Sequence, residues 1–338
     1  MAKFLRLKYP YIIVFLSFLS LDLSAQMTVQ GPKAKVTEPT TAAYDSLSNY
    51  LWDEPEAYVG QRLWLIPKKK IAGGRLGYMD FYKSRKGNYG EHYKPDESYS
   101  VTGTPIDAIA GHSFQVMEVY PKEPGRLKQM MKLYDEEAKD ICYYEYSPLS
   151  QLQVEYGKKH IDFPFIVYGY MEKTKQVHFG KQYVLNYEAR GALIDPETGE
   201  RPLNIPEGAW TCQDVLIFQL PNNPFNQTTC ALCYKMVAGN GTVALLPDAQ
   251  MANKNQVFPL SKANALKKKY GSYLYNSMLS GEVEIGMSQE LVEIICGLPD
   301  DITDVTISGA KGSHWYYEHN PFLSAVYFTN GKVSSIVK

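Results

Sequence analysis

Five cysteines and six histidines carry most of the chemistry that this 338-residue chain offers. The tightest pairing is Cys230-Ala231-Leu232-Cys233, the spacing of a redox dithiol or of half a zinc site. Its surroundings speak against both. Residues 228–237, then Ala238-Gly239-Asn240-Gly241, then 242–246 read as strand, turn, strand. A reactive dithiol sits instead at a helix start, where the dipole lowers the thiol pKa. Residues three apart in a strand are about 10 Å apart, too far for a disulfide between them. Zinc would want a fourth ligand beyond Cys212, Cys230 and Cys233, and no second close pair exists. A different pairing is expected. Residues 210–218 and 228–237 form a hairpin around Pro221-Asn222-Asn223-Pro224, which sets Cys212 opposite Cys233, with Cys230 as the nearby alternative.

The remaining reactive groups are scattered. Cys142 with His112 or His160 is the formal thiol–imidazole pairing, but Cys142 lies in a tyrosine-rich strand where a packed thiol is the ordinary explanation. His314 and His319 are near neighbours separated by a loop between strands. Asp195-Pro196-Glu197-Thr198-Gly199-Glu200 has carboxylates enough for calcium, yet its Pro and Gly make it a turn first. No Gly-x-Ser-x-Gly elbow, P-loop or His-Glu-x-x-His pair occurs. The sequence therefore assigns no catalytic residue, no metal ligand and no cofactor, and it reads as a non-enzyme.

Composition places these residues in an ordinary globular chain, 45% hydrophobic and 21% charged with a net charge of −1. Disorder, collagen and coiled coil are excluded as overall descriptions. The near-neutral balance lacks the basic footprint that nucleic acid requires. Tyrosine is over-used, 27 against 13 phenylalanines, which suits half-buried strands and wet recognition faces alike.

Residues 1–25 read as a secretory signal. Lys3, Arg6 and Lys8 precede an apolar run of about ten residues, too short to span a bilayer, and Ser24-Ala25 offers the small residues of a cleavage site. No cysteine follows the cut to accept a lipid. The expected location is periplasmic or secreted, with no transmembrane segment once the signal is removed.

Beyond a polar leader at 26–45, the elements that must position the side chains are mostly strands. Residues 47–51 read as a short helical turn. From Tyr58 to about residue 250 the texture is short apolar runs between turn residues: 63–66, 114–120, 142–146, 165–168 and 183–185. Residues 126–134 fit a strand or a short helix. A faint repeat runs through this region. Tyr58-Val59-Gly60-Gln61-Arg62-Leu63-Trp64-Leu65 is echoed by His178-Phe179-Gly180-Lys181-Gln182-Tyr183-Val184-Leu185. Likewise, Gly111 leading into Phe114 and Val116 is echoed by Gly208 leading into Trp210 and Cys212. The expected class is α+β. Its β-rich region, 46–250, forms two SH3-like barrels at about 46–155 and 156–250, or one β-sandwich.

The period changes near residue 255. After Ser261, read as an N-cap, the residues Ala263, Leu266, Tyr270, Leu274 and Met278 form one stripe of a helix of about 17 residues. Lys267-Lys268-Lys269 reads as its solvated face. Gly286-Met287-Ser288 then introduces a second helix, capped by Ser288, carrying Leu291 and Val292 inward and stopped by Gly297 and Pro299. Three strands come next, 313–317, 322–329 and 332–337, the last two joined by Asn330-Gly331, a type I′ hairpin signal. This order, with Gly297-Leu298-Pro299, Trp315-Tyr316-Tyr317 and Val326-Tyr327-Phe328-Thr329-Asn330-Gly331-Lys332-Val333, resembles the BamE-like (SmpA/OmlA) domain of bacterial envelope proteins. The resemblance covers 258–338, under a quarter of the chain. It implies a compact α+β unit that binds other proteins, in a bacterial envelope.

The function expected is that of an exported, non-catalytic envelope protein that acts by protein–protein contact or as a scaffold, linked to outer-membrane maintenance. The alternative is a glycan- or peptidoglycan-binding protein that uses aromatic faces of the β-rich region; a hydrolase with a dispersed site is the remote third. The partner is another envelope protein or a cell-wall glycan. Adjacent residues of a strand point to opposite faces. One member of Tyr143-Tyr144 and one of Tyr316-Tyr317 is therefore expected to reach solvent, and these pairs are the candidate interaction surface.

Overall fold

The computed structural model describes residues 44, 46–51, 54–68, 77–87, 91–95, 102–121, 128–146, 153–155, 158–160, 163–220, 230–307, 310–320 and 323–338. The signal at 1–25, the leader at 26–45 apart from Tyr44, and the turn at 221–224 lie outside them. A 3-10 turn, Pro55–Tyr58, leads through Gly60 into β1 (Arg62–Leu65). β2 (Phe81–Tyr82), α1 (Ile106–Ile109), β3 (Ser113–Val119), β4 (Gln129–Asp135) and β5 (Asp140–Tyr146) come next, then a ribbon of β6 (Gln153–Glu155) and β7 (Lys158–His160). β8 (Phe165–Val167) returns beside β1, so the first sheet reads β2-β5-β4-β3-β1-β8.

Next, α2 (Tyr168–His178) carries the chain to β9 (Gln182–Leu185), α3 (Tyr187–Gly191), β10 (Ala209–Gln219), β11 (Cys230–Ala238), β12 (Val243–Pro247) and α4 (Asp248–Met251). β13 (Val257–Pro259) returns beside β9, and the second sheet reads β12-β11-β10-β9-β13. Finally, α5 (Leu260–Ser280) and α6 (Gln289–Cys296) precede a meander of β14 (Asp301–Ile307), β15 (Ala310–Tyr316), β16 (Ala325–Thr329) and β17 (Lys332–Val337). The fold is α+β and β-rich, with antiparallel sheets. Among the described residues no helix is long and apolar enough to cross a membrane.

The first two sheets share one hydrogen-bonding plan. Leu63 pairs with Phe114 and Val167; Tyr183 pairs with Trp210 and Pro259. The register slips at Met117 in β3, between Val116 and Glu118, and at Gln213 in β10, between Cys212 and Asp214. A bulge at that point bends a strand sharply. The entry to each sheet is also shared. Gly60 N–H donates to Val116 O and Gly180 N–H to Cys212 O, both at 2.8 Å. Both glycines hold positive φ, 81° and 72°, where a side chain would be strained. The echo of Gly60 by Gly180 falls on equivalent positions, whereas Gly208 stands one residue beyond the place of Gly111. A meander whose closing strand returns beside its first strand fits the SH3-like alternative.

Strand alternation ties the second sheet to both of its neighbours. Tyr183, Leu185 and Val257 face the core shared with the first sheet, whereas Val184 and Phe258 face the core under the C-terminal meander. The two short strands β9 and β13 therefore belong to both cores. In the C-terminal unit, Gly286 N–H donates to Val333 O and Val333 N–H to Met287 O, at 2.8 Å each, and Met287 is wholly buried. Ser288 Oγ accepts from Leu291 N–H, Gly297 ends α6 at φ 80°, and Trp315 packs on Phe328 with ring centres 4.7 Å apart. Asn330 and Gly331 both hold positive φ, as a type I′ turn demands.

Several expectations need correcting. The first sheet extends to residue 167 and the second to 259; each closing strand is three residues long and runs straight into a helix. Residues 47–51 form no helix; Asn49 instead caps the free edge of β8, donating from Nδ2 to Phe165 O at 2.7 Å and accepting from Val167 N–H at 2.9 Å. Of the two forms expected for 126–134, residues 129–135 take the strand. Helix α5 breaks at Gly271 (φ 78°, ψ 164°), and Ser261 lies inside it, not at its cap, which is Pro259. Helix α2 has no counterpart in the sequence pattern, since only Tyr170 and Thr174 of its 11 residues are fully buried.

Gly169 opens α2 where an added Cβ would sit 2.5 Å from Gln61 Oε1 and from Tyr44 Cβ. Gly169→Ala should therefore cost about 1–3 kcal/mol of unfolding free energy, the range for overpacking. A urea unfolding midpoint equal to that of the wild type would contradict the close approach.

Candidate functional site

The residues singled out from sequence separate by strand face. Tyr144 and Tyr317 are buried, while Tyr143 is half-buried and Tyr316 exposed. Tyr143 stacks on Tyr120, whose ring also lies 4.1 Å from the Arg85 guanidinium carbon, so Tyr120 is already engaged by both neighbours. Tyr317 donates from its hydroxyl to Gly297 O at 3.3 Å, which locks the end of α6 to the end of β15.

The expected disulfide does not form; all five cysteines are free thiols. The hairpin of β10 and β11 exists, but its register pairs Cys212 with Met236 and Cys233 with Leu216. Cys233 is three residues from Met236, so it points to the opposite face and packs with Phe218 and Leu245. Cys230 pairs with Gln219, seven residues along β10 from Cys212. Burial raises the Cys212 thiol to about 11 and the Cys233 thiol to about 12. Cys142 is raised well above the ordinary thiol range, by burial first and then by the charges of Asp135 and Asp140. These thiols stay protonated at neutral pH and make poor nucleophiles.

Two carboxylates, Asp135 buried and Asp248 half-buried, organise polar contacts inside the fold. Asp248, at the start of α4, accepts from Tyr170 at 2.8 Å and from Tyr234 at 3.1 Å. Burial raises its pKa, against the lowering effect of those two hydroxyls. Asp135, at the end of β4, accepts from Ala138 N–H at 2.9 Å and faces His112 Nδ1 at 3.0 Å. Burial raises its pKa, but the bonds from His112 and Ala138 and the charges of His112 and Lys94 outweigh it, so the carboxyl lies below its usual range. Asp195 closes the 195–200 turn by accepting from Glu197 and Thr198 N–H, at 2.8 and 3.1 Å.

A cleft of about 340 Å³ lies at the seam between the second sheet and the C-terminal unit. Tyr187 and Glu188 of α3 form one wall; Ile295 and Cys296 of α6 with Leu298, Asp300, Tyr317, His319 and Asn320 form the other. Gly281 floors it. It caps α5 at φ 78°, and the Tyr187 ring occupies the space where a Cβ would project. The carboxylates are Glu188 and Asp300, beside the His319 imidazole, with neither Lys nor Arg among the described lining residues. Burial, and then the charge of Glu188, push the Cys296 thiol up to about 12, against a hydrogen bond with Asn320. The cleft can bind neutral or cationic groups; it holds no activated nucleophile.

No protein family, curated protein or solved structure matches the chain.

Leu298, Tyr317 and His319 stood out in the sequence, but not the cleft they share with α3. Tyr187 and Glu188 come after the β9 strand with no motif around them, and only the docking of α5 brings them across. From the cleft the chain continues through Asp300 directly into β14, which among the described residues pairs on one side only, with β15. Leu298 and Ile302 are exposed along this run, and Tyr316 is exposed on β15 opposite Asp301.

Without reductant, the denatured chain should react with five equivalents of a thiol reagent; a lower count would mean a bridge exists. A carboxyl whose folded pKa is raised stabilises the fold below its unfolded pKa, about 4, and loses that contribution as pH rises through the folded value. Asp248→Asn should therefore flatten the fall in stability that thermal unfolding is expected to show as pH rises above about 4. An unchanged slope would show that Asp248 does not titrate in that window.

Proposed function

We propose that this is an exported bacterial envelope protein that catalyses no reaction and acts by binding another protein, in the service of outer-membrane maintenance. The observation that carries the reading is the open edge of β14. Among the described residues the seven of Asp301–Ile307 pair on one side only; Ile302 is exposed within the strand, and Leu298 and Tyr316 are exposed next to it. An unpaired edge offers a row of backbone donors and acceptors, and adding a strand to it is a general mode of protein recognition. Asp301 and Asp304 place charge on this edge, which discourages pairing between copies of the same chain. The signal-like start and the BamE-like order of the C-terminal elements support the same reading.

A second reading, glycan binding, rests on the cleft. Its tyrosines, its carboxylates and the lack of cationic residues in its lining suit a hydroxyl-rich ring, the tyrosine face stacking and the carboxylates accepting hydrogen bonds.

A photo-reactive residue at Thr303 should crosslink to one envelope protein in cells. Ile302→Lys, at an exposed site, should reduce that adduct at least tenfold while shifting folding stability by no more than about 0.5 kcal/mol. Equal adducts from Thr303 and from an unrelated exposed position such as Lys268 would sink the partner reading. Sedimentation with purified cell wall, lost on Glu188→Gln, would favour the glycan reading.

A further inference from the structure

At the corner where β3 begins and β4 turns, His112, Asp135 and Glu137 bring an imidazole nitrogen and two carboxylates within 4.8 Å of one another. His112 Nδ1 is 3.0 Å from both Asp135 oxygens. Two donors each about 2.1 Å from one ion, at right angles, are about 3.0 Å apart, so this pair already has ligand spacing. The carboxylates are braced from behind: Tyr93 OH donates to Asp135 Oδ2 at 3.2 Å, and Ser113 N–H donates to Glu137 Oε2 at 2.8 Å. Ligating carboxylates are normally oriented by such outer partners. Asp135 is wholly buried, whereas Glu137 is exposed and His112 partly so, which leaves a path from solvent.

The second sheet supplies an internal control. By register, Gly208 stands where the first sheet has His112, and Ala238 where it has Asp135. Gly239-Asn240-Gly241 makes the turn that contains Glu137 in the first sheet, closed by Gly241 N–H to Ala238 O at 2.9 Å. The same corner therefore closes without imidazole or carboxylate. The fold does not require the three donors, and burying Asp135 carries a desolvation cost that the second sheet avoids.

We propose that His112, Asp135 and Glu137 form a binding site for a first-row divalent transition-metal ion. One imidazole with two carboxylates is a borderline donor set of the kind that zinc and its neighbours accept, while calcium and magnesium favour oxygen alone. His112 ligates through Nδ1, and the proton it shares with Asp135 moves to Nε2 or to solvent. Three protein donors leave a position for water. Lys94 Nζ, 3.6 Å from Asp135, is the built-in competitor: it neutralises the carboxylate in the metal-free protein and is displaced when the ion enters. The site is independent of the partner proposed for β14.

Calorimetric titration of the full, tag-free chain with zinc sulfate tests this directly. One equivalent should bind at this site. His112→Ala and Glu137→Gln should each weaken that binding at least tenfold, and Lys94→Met should tighten it. Glu137 is exposed, so Glu137→Gln keeps the test valid even where His112→Ala destabilises the fold. Cobalt(II) at the same site should give a spectrum without thiolate charge transfer. Absence of binding, affinities unchanged in both weakening variants, or thiolate ligation of cobalt would each overturn the assignment.

Discussion

The pairing on which the rest of the molecule depends is the return of a three-residue strand onto the first strand of its sheet. Phe165–Val167 closes on Arg62–Leu65, and Val257–Pro259 closes on Gln182–Leu185. Each return buries an apolar triplet between two neighbours and removes its open edge. It also delivers the chain into a helix that must begin at the next residue, α2 in one case and α5 in the other. The order of sheet, helix, sheet, helix and meander results from those two closures. Because β9 and β13 alternate between two cores, the second closure holds the C-terminal unit as well. The cleft is the seam this leaves, walled by α3 on one side and by the ends of α6 and β15 on the other.

Much of this architecture was legible because the two sheets solve one steric problem with similar residues. A glycine at positive φ must precede β1 and β9, and an apolar triplet must come after it; both signals lie within eight residues. The Asn330-Gly331 turn, the Ser288 cap and the Gly297 stop were equally local, each fixed by the backbone angle or hydrogen bond at one position.

What sequence reasoning missed was set by register. Cys212 and Cys233 do lie on paired strands, yet the bulge at Gln213 and the alternation of faces decide that Cys212 meets Met236. Pattern alone cannot locate a bulge. Helix α2 hid behind a polar face because only Tyr170 and Thr174 are buried, with Tyr168 and Met171 packed partly against the core. Gly271 breaks α5 between Leu266 and Tyr275, in the middle of an apolar stripe whose spacing reads as continuous. His112 and Asp135 are far apart in sequence, with no motif joining them, and only the β3–β4 pairing makes them neighbours.

Amide hydrogen exchange on the full chain tests the central claim, that the two closures hold the fold while β14 stays open at its edge. The amides of β1, β9 and their closing strands should exchange only through global unfolding, at one common free energy, and those along β14 should exchange orders of magnitude faster. Exchange of residues 183–185 and 257–259 at rates like those of β14 would contradict it, since the second closure would then be a local contact and not the joint on which the C-terminal unit stands.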